Sequence, residues 1–217
     1  MIFNKTTCQA FIFPMKTGTL TTRNFLEKLN WQSLGLWHVP VAELIEKYPN
    51  LNNYNIYSFV RNPLKRFESC VLYMKQNDYY SAVFGAFLKT FKINKSIEDI
   101  SYDEIVDLFE DLKCWINVPV ENELIFYGKK GEQTFKFLFL PQVLWANHLK
   151  VTALDFDNFE CELRRIARND NVPIAPYNVS TNFGKSVITN KVKDFVRQEY
   201  ADDYNFAKKV FSKEYLQ

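Results

Sequence analysis

The residues best suited to chemistry sit in a short loop, Met15-Lys16-Thr17-Gly18-Thr19-Leu20-Thr21-Thr22. It follows the apolar run Phe11-Ile12-Phe13-Pro14 and precedes the helical run Arg23 to Leu29. A strand that feeds through glycine into a helix aims backbone N–H groups and the positive end of the helix dipole at one spot, where a phosphate or sulfate can sit. Lys16 adds a full positive charge, and Thr17, Thr19, Thr21 and Thr22 bring hydroxyl donors. The nucleotide P-loop reads G-x-x-x-x-G-K-[ST], with lysine after the second glycine, whereas Lys16 precedes the only glycine of this loop. That order argues against an ATPase or kinase.

A second strand-to-helix turn runs from Asn55-Ile56-Tyr57-Ser58-Phe59-Val60 into Arg61-Asn62-Pro63-Leu64-Lys65-Arg66-Phe67-Glu68-Ser69. The β-branched and aromatic residues suit a buried strand. Asn62 is a good N-cap and Pro63 a good first helical residue, so Arg61 leaves the C-terminal end of the strand, the edge at which open α/β sheets bind ligands. Arg66 and Ser69 share a helix face, and a guanidinium fork with a serine hydroxyl can close around one anion. Two anion sites on adjacent strands imply a ligand phosphorylated at both ends.

With these residues in view, the chain resembles the sulfotransferases that use 3'-phosphoadenosine 5'-phosphosulfate (PAPS), and among them the carbohydrate sulfotransferase branch. Lys16-Thr17-Gly18-Thr19 is similar to the family's P-K-[T/S]-G-[T/S] loop for the 5'-phosphosulfate. Val60-Arg61-Asn62-Pro63-x-x-Arg66-x-x-Ser69 is similar to its V-R-N-P-x-x-R-x-x-S motif for the 3'-phosphate. Weaker echoes are Leu140-Pro141-Gln142 for a P-Q segment, Leu154-Asp155-Phe156-Asp157-Asn158-Phe159-Glu160 for an R-F-E-N-L region without its arginine, and Tyr177-Asn178-Val179-Ser180 for a late N-x-S loop. Met15 and Leu20 depart from the family's proline and hydroxyl residue at those loop positions; Pro14 is displaced by one, and Thr21 can supply the missing hydroxyl.

The resemblance implies a PAPS-dependent transferase, without a metal, that moves a sulfonate onto a hydroxyl acceptor, with a glycan or glycoconjugate as the expected acceptor. It implies Lys16, Thr17, Gly18, Thr19, Thr21, Thr22, Arg61 and Ser69 as donor-binding residues and Lys16 as the cation that offsets charge on the departing oxygen. Two rivals stay open: a nucleotide-binding or interaction module that kept the fold without turnover, and a P-loop nucleotide kinase. For the base, the chain offers His38 and His148, and imidazole suits removal of a hydroxyl proton. His38 is the better placed, because it follows the apolar run Leu34 to Trp37 and opens a helix at the same sheet edge. Glu43 or Glu46 is the carboxylate alternative, and His148 reads as structural. Asn178, Ser180 and Lys185 fall in a turn-rich loop that can fold over an adenosine, and Lys129 and Lys130 read as solvated charges.

Strands alternating with helices predict one α/β domain over residues 1–217, a three-layer, P-loop-like fold around a central parallel sheet. Helices are expected over Val41 to Tyr48, Leu64 to Lys75, Ala82 to Phe91, Tyr102 to Trp115, Asn158 to Arg168 and Asn190 to Lys213. Strands are expected at Phe135 to Leu140 and Val151 to Leu154, the first after a polar turn at Tyr127 to Glu132. The 217 residues, 47% of them hydrophobic, are enough for a real core, and the 17% aromatic content suits large buried rings. Lys+Arg 27 against Asp+Glu 25 leaves a net charge of +2, so nothing asks for nucleic acid or an anionic membrane. Cys8, Cys70, Cys114 and Cys161 form no C-x-x-C pair, and no stretch approaches the ~20 apolar residues of a membrane span. Met1 to Ala10 does not read as a signal peptide, so a cytoplasmic location is the expectation.

Overall fold

Pro14 cannot donate to a strand ladder, and strand β2 (Gln9–Ile12) stops two residues before it. The computed structural model describes residues 1–35, 38–78, 81, 84–85, 88–89, 92–111, 136–176 and 187–212. Contacts divide the chain into two compact units. The first takes 1–62, 142–179 and 205–215, and the second takes 63–141, 180–204 and 216–217.

The first unit is α/β, with a five-stranded mixed sheet in the order β3-β1-β2-β4-β5, formed by β1 (Ile2–Asn4), β2, β3 (Gln32–Ser33), β4 (Asn55–Val60) and β5 (Val151–Asp155). β2, β4 and β5 run parallel, with Ile12 opposite Ser58 and Val60 opposite Asp155. β1 pairs antiparallel with both β2 and β3. The expected central parallel sheet is found as a parallel core of β2, β4 and β5, to which β1 and β3 add an antiparallel edge. Only four residues separate β1 from β2, too few for a parallel crossover. The two-residue β3 lies just before the apolar run Leu34 to Trp37, of which 36–37 lie outside the described residues.

Helices α1 (Thr19–Glu27), α2 (Val41–Lys47), α6 (Val143–Ala146) and α7 (Phe159–Ala167) flank this sheet. One sheet face packs Phe11, Phe13 and Phe59 against Phe25 and Leu26 of α1 and Leu163 and Ile166 of α7. Each fully buried aromatic or aliphatic side chain contributes about 1.5–3 kcal/mol, so this layer holds both helices to the strand ends they follow. Ile56, Ser58 and Val60, which alternate to the opposite face, are also buried, and α6 packs on β4 and β5.

The second unit is helical among its described residues: α3 (Pro63–Gln76), α4 (Tyr102–Asp111), α5 (Lys136–Phe139) and α8 (Asn190–Glu199). Phe67 is its hub, with ring centroids 6.3 Å from Phe109, 5.6 Å from Phe139 and 5.9 Å from Phe195. The strand expected over Phe135 to Leu140 is a short helix here. Its carbonyls are served by side chains rather than by a ladder: Leu138 accepts from Cys70 Sγ, Leu140 from Arg66, and Phe139 from the Tyr200 hydroxyl. The single helix expected over Asn190 to Lys213 breaks at Tyr200 into α8 and α9 (Ala201–Phe211). No helix among the described residues is long and apolar enough to cross a membrane.

Candidate functional site

In the loop after β2, Lys16 and Gly18 both take left-handed backbone angles, φ 62° and 76°. The Thr17 hydroxyl donates to the Pro14 carbonyl at 2.8 Å and is buried, so it closes the loop on itself. The first helical bond of α1 runs from Thr22 N–H to the Gly18 carbonyl at 2.9 Å. α1 has no side-chain cap and no acidic residue in its first turn. Its leading N–H groups thus lack intrahelical carbonyls, and nothing on the first turn opposes an anion. Among the described residues, the Oγ1 atoms of Thr19 and Thr22 are buried without a hydrogen-bond partner. Leaving such a group unmatched costs about 1–3 kcal/mol, a cost that an oxygen-rich anion accepting their protons would offset.

Beneath the loop lies an aromatic shelf. Phe156 and Phe159 have centroids 5.2 Å apart, and Phe159 packs 4.6 Å from Phe59. A side chain at Gly18 would meet Phe159 at 2.7 Å and Phe156 at 3.1 Å, so the close approach of loop to shelf requires glycine. Asp155, the last residue of β5, caps the turn carrying Phe156 by accepting from the Asp157 N–H at 3.0 Å.

Arg61 leaves β4 at the same sheet edge. Its guanidinium stands 5.0 Å above the Phe156 ring, and its Nη1 donates to the Lys16 carbonyl at 3.2 Å. Its backbone N–H donates to Gln142 Oε1 at 2.9 Å, and Gln142 Nε2 donates back to its carbonyl at 2.6 Å. The two motifs of the first unit therefore meet directly.

His38 belongs to the same unit and is held from both ends. Its Nδ1 lies 2.7 Å from the Phe13 carbonyl, and its own carbonyl accepts the Trp145 indole N–H at 2.8 Å. Its φ of 57° is again left-handed. Burial pulls its pKa from 6.5 down to about 4; the hydrogen bond to Phe13 opposes this, while the N-terminal ammonium and Lys16 add to it. The imidazole is thus neutral near pH 7. A carbonyl partner requires Nδ1–H as donor, which puts the ring's lone pair on Nε2.

Lys16, Thr17, Gly18, Thr19, Thr21, Thr22, Arg61 and His38 all fall in the first unit, whereas Ser69 lies buried on α3 of the second. Arg66, the motif's other arginine, is a core residue of that second unit, 1% exposed. It donates to the Leu140 carbonyl at 2.6 Å and the Leu138 carbonyl at 3.4 Å, with Asp203 at 4.0 Å. His148 sits in the turn before β5, where its Nδ1 accepts the Lys150 N–H. Glu43 and Glu46 are on α2, and burial, then Glu46, raises the pKa of Glu43. Lys129, Lys130, Asn178, Ser180 and Lys185 lie outside the described residues.

Reading the sequence did not single out Gln142, Phe156 or Trp145 individually. The segments around the first two were noted, but their partners are distant in the chain. Comparison with family models, with curated proteins and with solved structures finds no match for this chain.

Proposed function

We propose that this chain is a sulfotransferase on a P-loop-like fold, moving a sulfonate from PAPS to a hydroxyl acceptor of the carbohydrate class. The observation that carries this reading is the bond from Arg61 Nη1 to the Lys16 carbonyl, which sets an arginine fork beside an uncapped helix start and its lysine. The unmatched hydroxyls of Thr19 and Thr22 support an oxyanion at that loop.

In this reading the first-turn N–H groups of α1, with Thr19 and Thr22, hold the 5'-phosphosulfate. The Arg61 fork takes the 3'-phosphate. In the transfer, the acceptor oxygen forms a bond to sulfur as the bond from sulfur to the phosphate oxygen breaks, giving a sulfate ester and 3'-phosphoadenosine 5'-phosphate. The Lys16 ammonium offsets charge growing on the departing oxygen, and the neutral His38 takes the hydroxyl proton.

Transfer of radiolabelled sulfonate from PAPS to a panel of glycans tests the reading. The wild-type chain should label an acceptor, and Lys16→Ala should lose turnover by far more than it loses nucleotide affinity. Turnover dependent on ATP and Mg²⁺ would favour a kinase instead. Nucleotide binding without transfer to any acceptor would favour a binding module, the reading that Met15 and Leu20 support.

A further inference from the structure

We infer that Gln142 is the positioning residue for Arg61, setting where the guanidinium stands at the sheet edge by gripping both backbone polar groups of that residue. The inference rests on the proposed role of Arg61 as an anion ligand. Gln142 is 1% exposed and lies 81 residues further along the chain. Its amide accepts the Arg61 N–H at 2.9 Å and donates to the Arg61 carbonyl at 2.6 Å, so both bonds hold in only one amide orientation.

The pairing replaces a strand neighbour. The β4–β5 ladder runs to Val60 opposite Asp155, and Arg61 is the first residue past it. A segment leaving a sheet ordinarily passes its backbone groups to water and wanders, but here an amide side chain supplies one more rung. Gln142 is itself anchored, because its carbonyl accepts the N–H groups of Trp145 and Ala146, both at 3.0 Å, at the start of α6, which packs on β4 and β5.

With the Arg61 backbone fixed, two further contacts orient the side chain. Phe156 supports the guanidinium face, and the Lys16 carbonyl accepts from Nη1. Three segments distant in sequence thus converge on one arginine. A long side chain that is already ordered loses less rotamer freedom when it binds an anion, and that is the form in which the grip acts on affinity.

The test is a double-mutant cycle in the full chain, titrated by calorimetry with 3'-phosphoadenosine 5'-phosphate. Gln142→Ala should weaken binding at least about tenfold, the scale of one charged hydrogen bond lost. In an Arg61→Ala background the same change should cost less than about twofold, because the residue it positions is gone. Gln142→Glu keeps an acceptor for the Arg61 N–H but cannot donate to the carbonyl. It should fall between, and it stands in if the alanine variant does not fold. Wild-type affinity in Gln142→Ala, or an undiminished loss in the Arg61→Ala background, overturns the inference and leaves Gln142 a structural strut. If the wild-type chain binds no 3'-phosphoadenosine 5'-phosphate, the sulfotransferase reading fails. The grip is then judged by amide exchange at Arg61, accelerated in Gln142→Ala if the inference holds and unchanged if it does not.

Discussion

Gly18→Ala puts the loop architecture to a quantitative test, with Gly35→Ala as its internal control. Both glycines hold left-handed angles, φ 76° and 68°, so each substitution carries the cost of about 1–2 kcal/mol for an L-residue in that region. The surroundings differ. Among the described residues a Cβ at Gly35 meets nothing within 4 Å, whereas at Gly18 it falls 2.7 Å from Phe159 Cε2 and 3.1 Å from Phe156 Cε2. Both rings belong to the shelf packed on Phe59 and cannot swing aside cheaply. Overpacking of this kind costs about 1–3 kcal/mol, which brings the total for Gly18→Ala to roughly 2–5 kcal/mol against 1–2 for Gly35→Ala. Urea unfolding followed by tryptophan fluorescence reads the difference, since Trp31 and Trp145 both lie in the first unit. Any shift of Phe156 also moves the support under Arg61, so nucleotide affinity should fall in Gly18→Ala and hold in Gly35→Ala. Equal midpoints for the two variants would refute the claim that the loop is seated on the aromatic shelf.

Two further outcomes follow from buried charge. His38 has a folded pKa of about 4 against 6.5, so below pH 6.5 the unfolded chain takes up a proton that the folded chain refuses. The stability it supplies is complete above pH 6.5 and drains away as pH falls toward 4, by at most about 3 kcal/mol. Urea midpoints at pH 7 and pH 4.5 should differ less in His38→Gln than in wild type, and an equal drop would assign the effect to another group. In the second unit, Arg66→Ala strips donors from the Leu138 and Leu140 carbonyls and leaves Asp203 buried. A loss of about 3–5 kcal/mol is expected, partly recovered by adding Asp203→Asn, and a loss below about 1 kcal/mol would contradict the core role.

The parts legible in the sequence were those with local punctuation. Pro14 and Gly18 bracket the first anion loop, and Asn62-Pro63 marks the start of α3, so β2, α1, β4 and α3 could be placed from short windows. β1 escaped notice because it is three residues long and runs straight into a polar turn. The α5 segment misled because a short apolar run is equally a strand or a buried helix, and its carbonyls find side-chain partners 61 to 74 residues away. The break at Tyr200 has no glycine or proline to announce it. It coincides with a buried ring whose hydroxyl bonds Phe139, a tertiary demand outweighing helical propensity.

The site was legible to the same extent. Lys16, the threonines and Arg61 stand in recognisable turns, but what orients them is nonlocal: His38 is held by Phe13 and Trp145, and Arg61 by Gln142 and Phe156. Arg66 shows the reverse error. The helix face it shares with Ser69 suggested an anion ligand, yet its guanidinium is committed to carbonyls of its own core.

The central claim is that Lys16 and Arg61 form one edge that grips an adenylate carrying phosphates at both ends. The affinity of the wild-type chain for 3'-phosphoadenosine 5'-phosphate, set against adenosine 5'-phosphate, tests it most directly. One charge-assisted contact is worth about 1.5–3 kcal/mol, so the account predicts that the 3'-phosphate tightens binding about 10- to 100-fold. Equal affinity for the two nucleotides, or binding of neither, would contradict it.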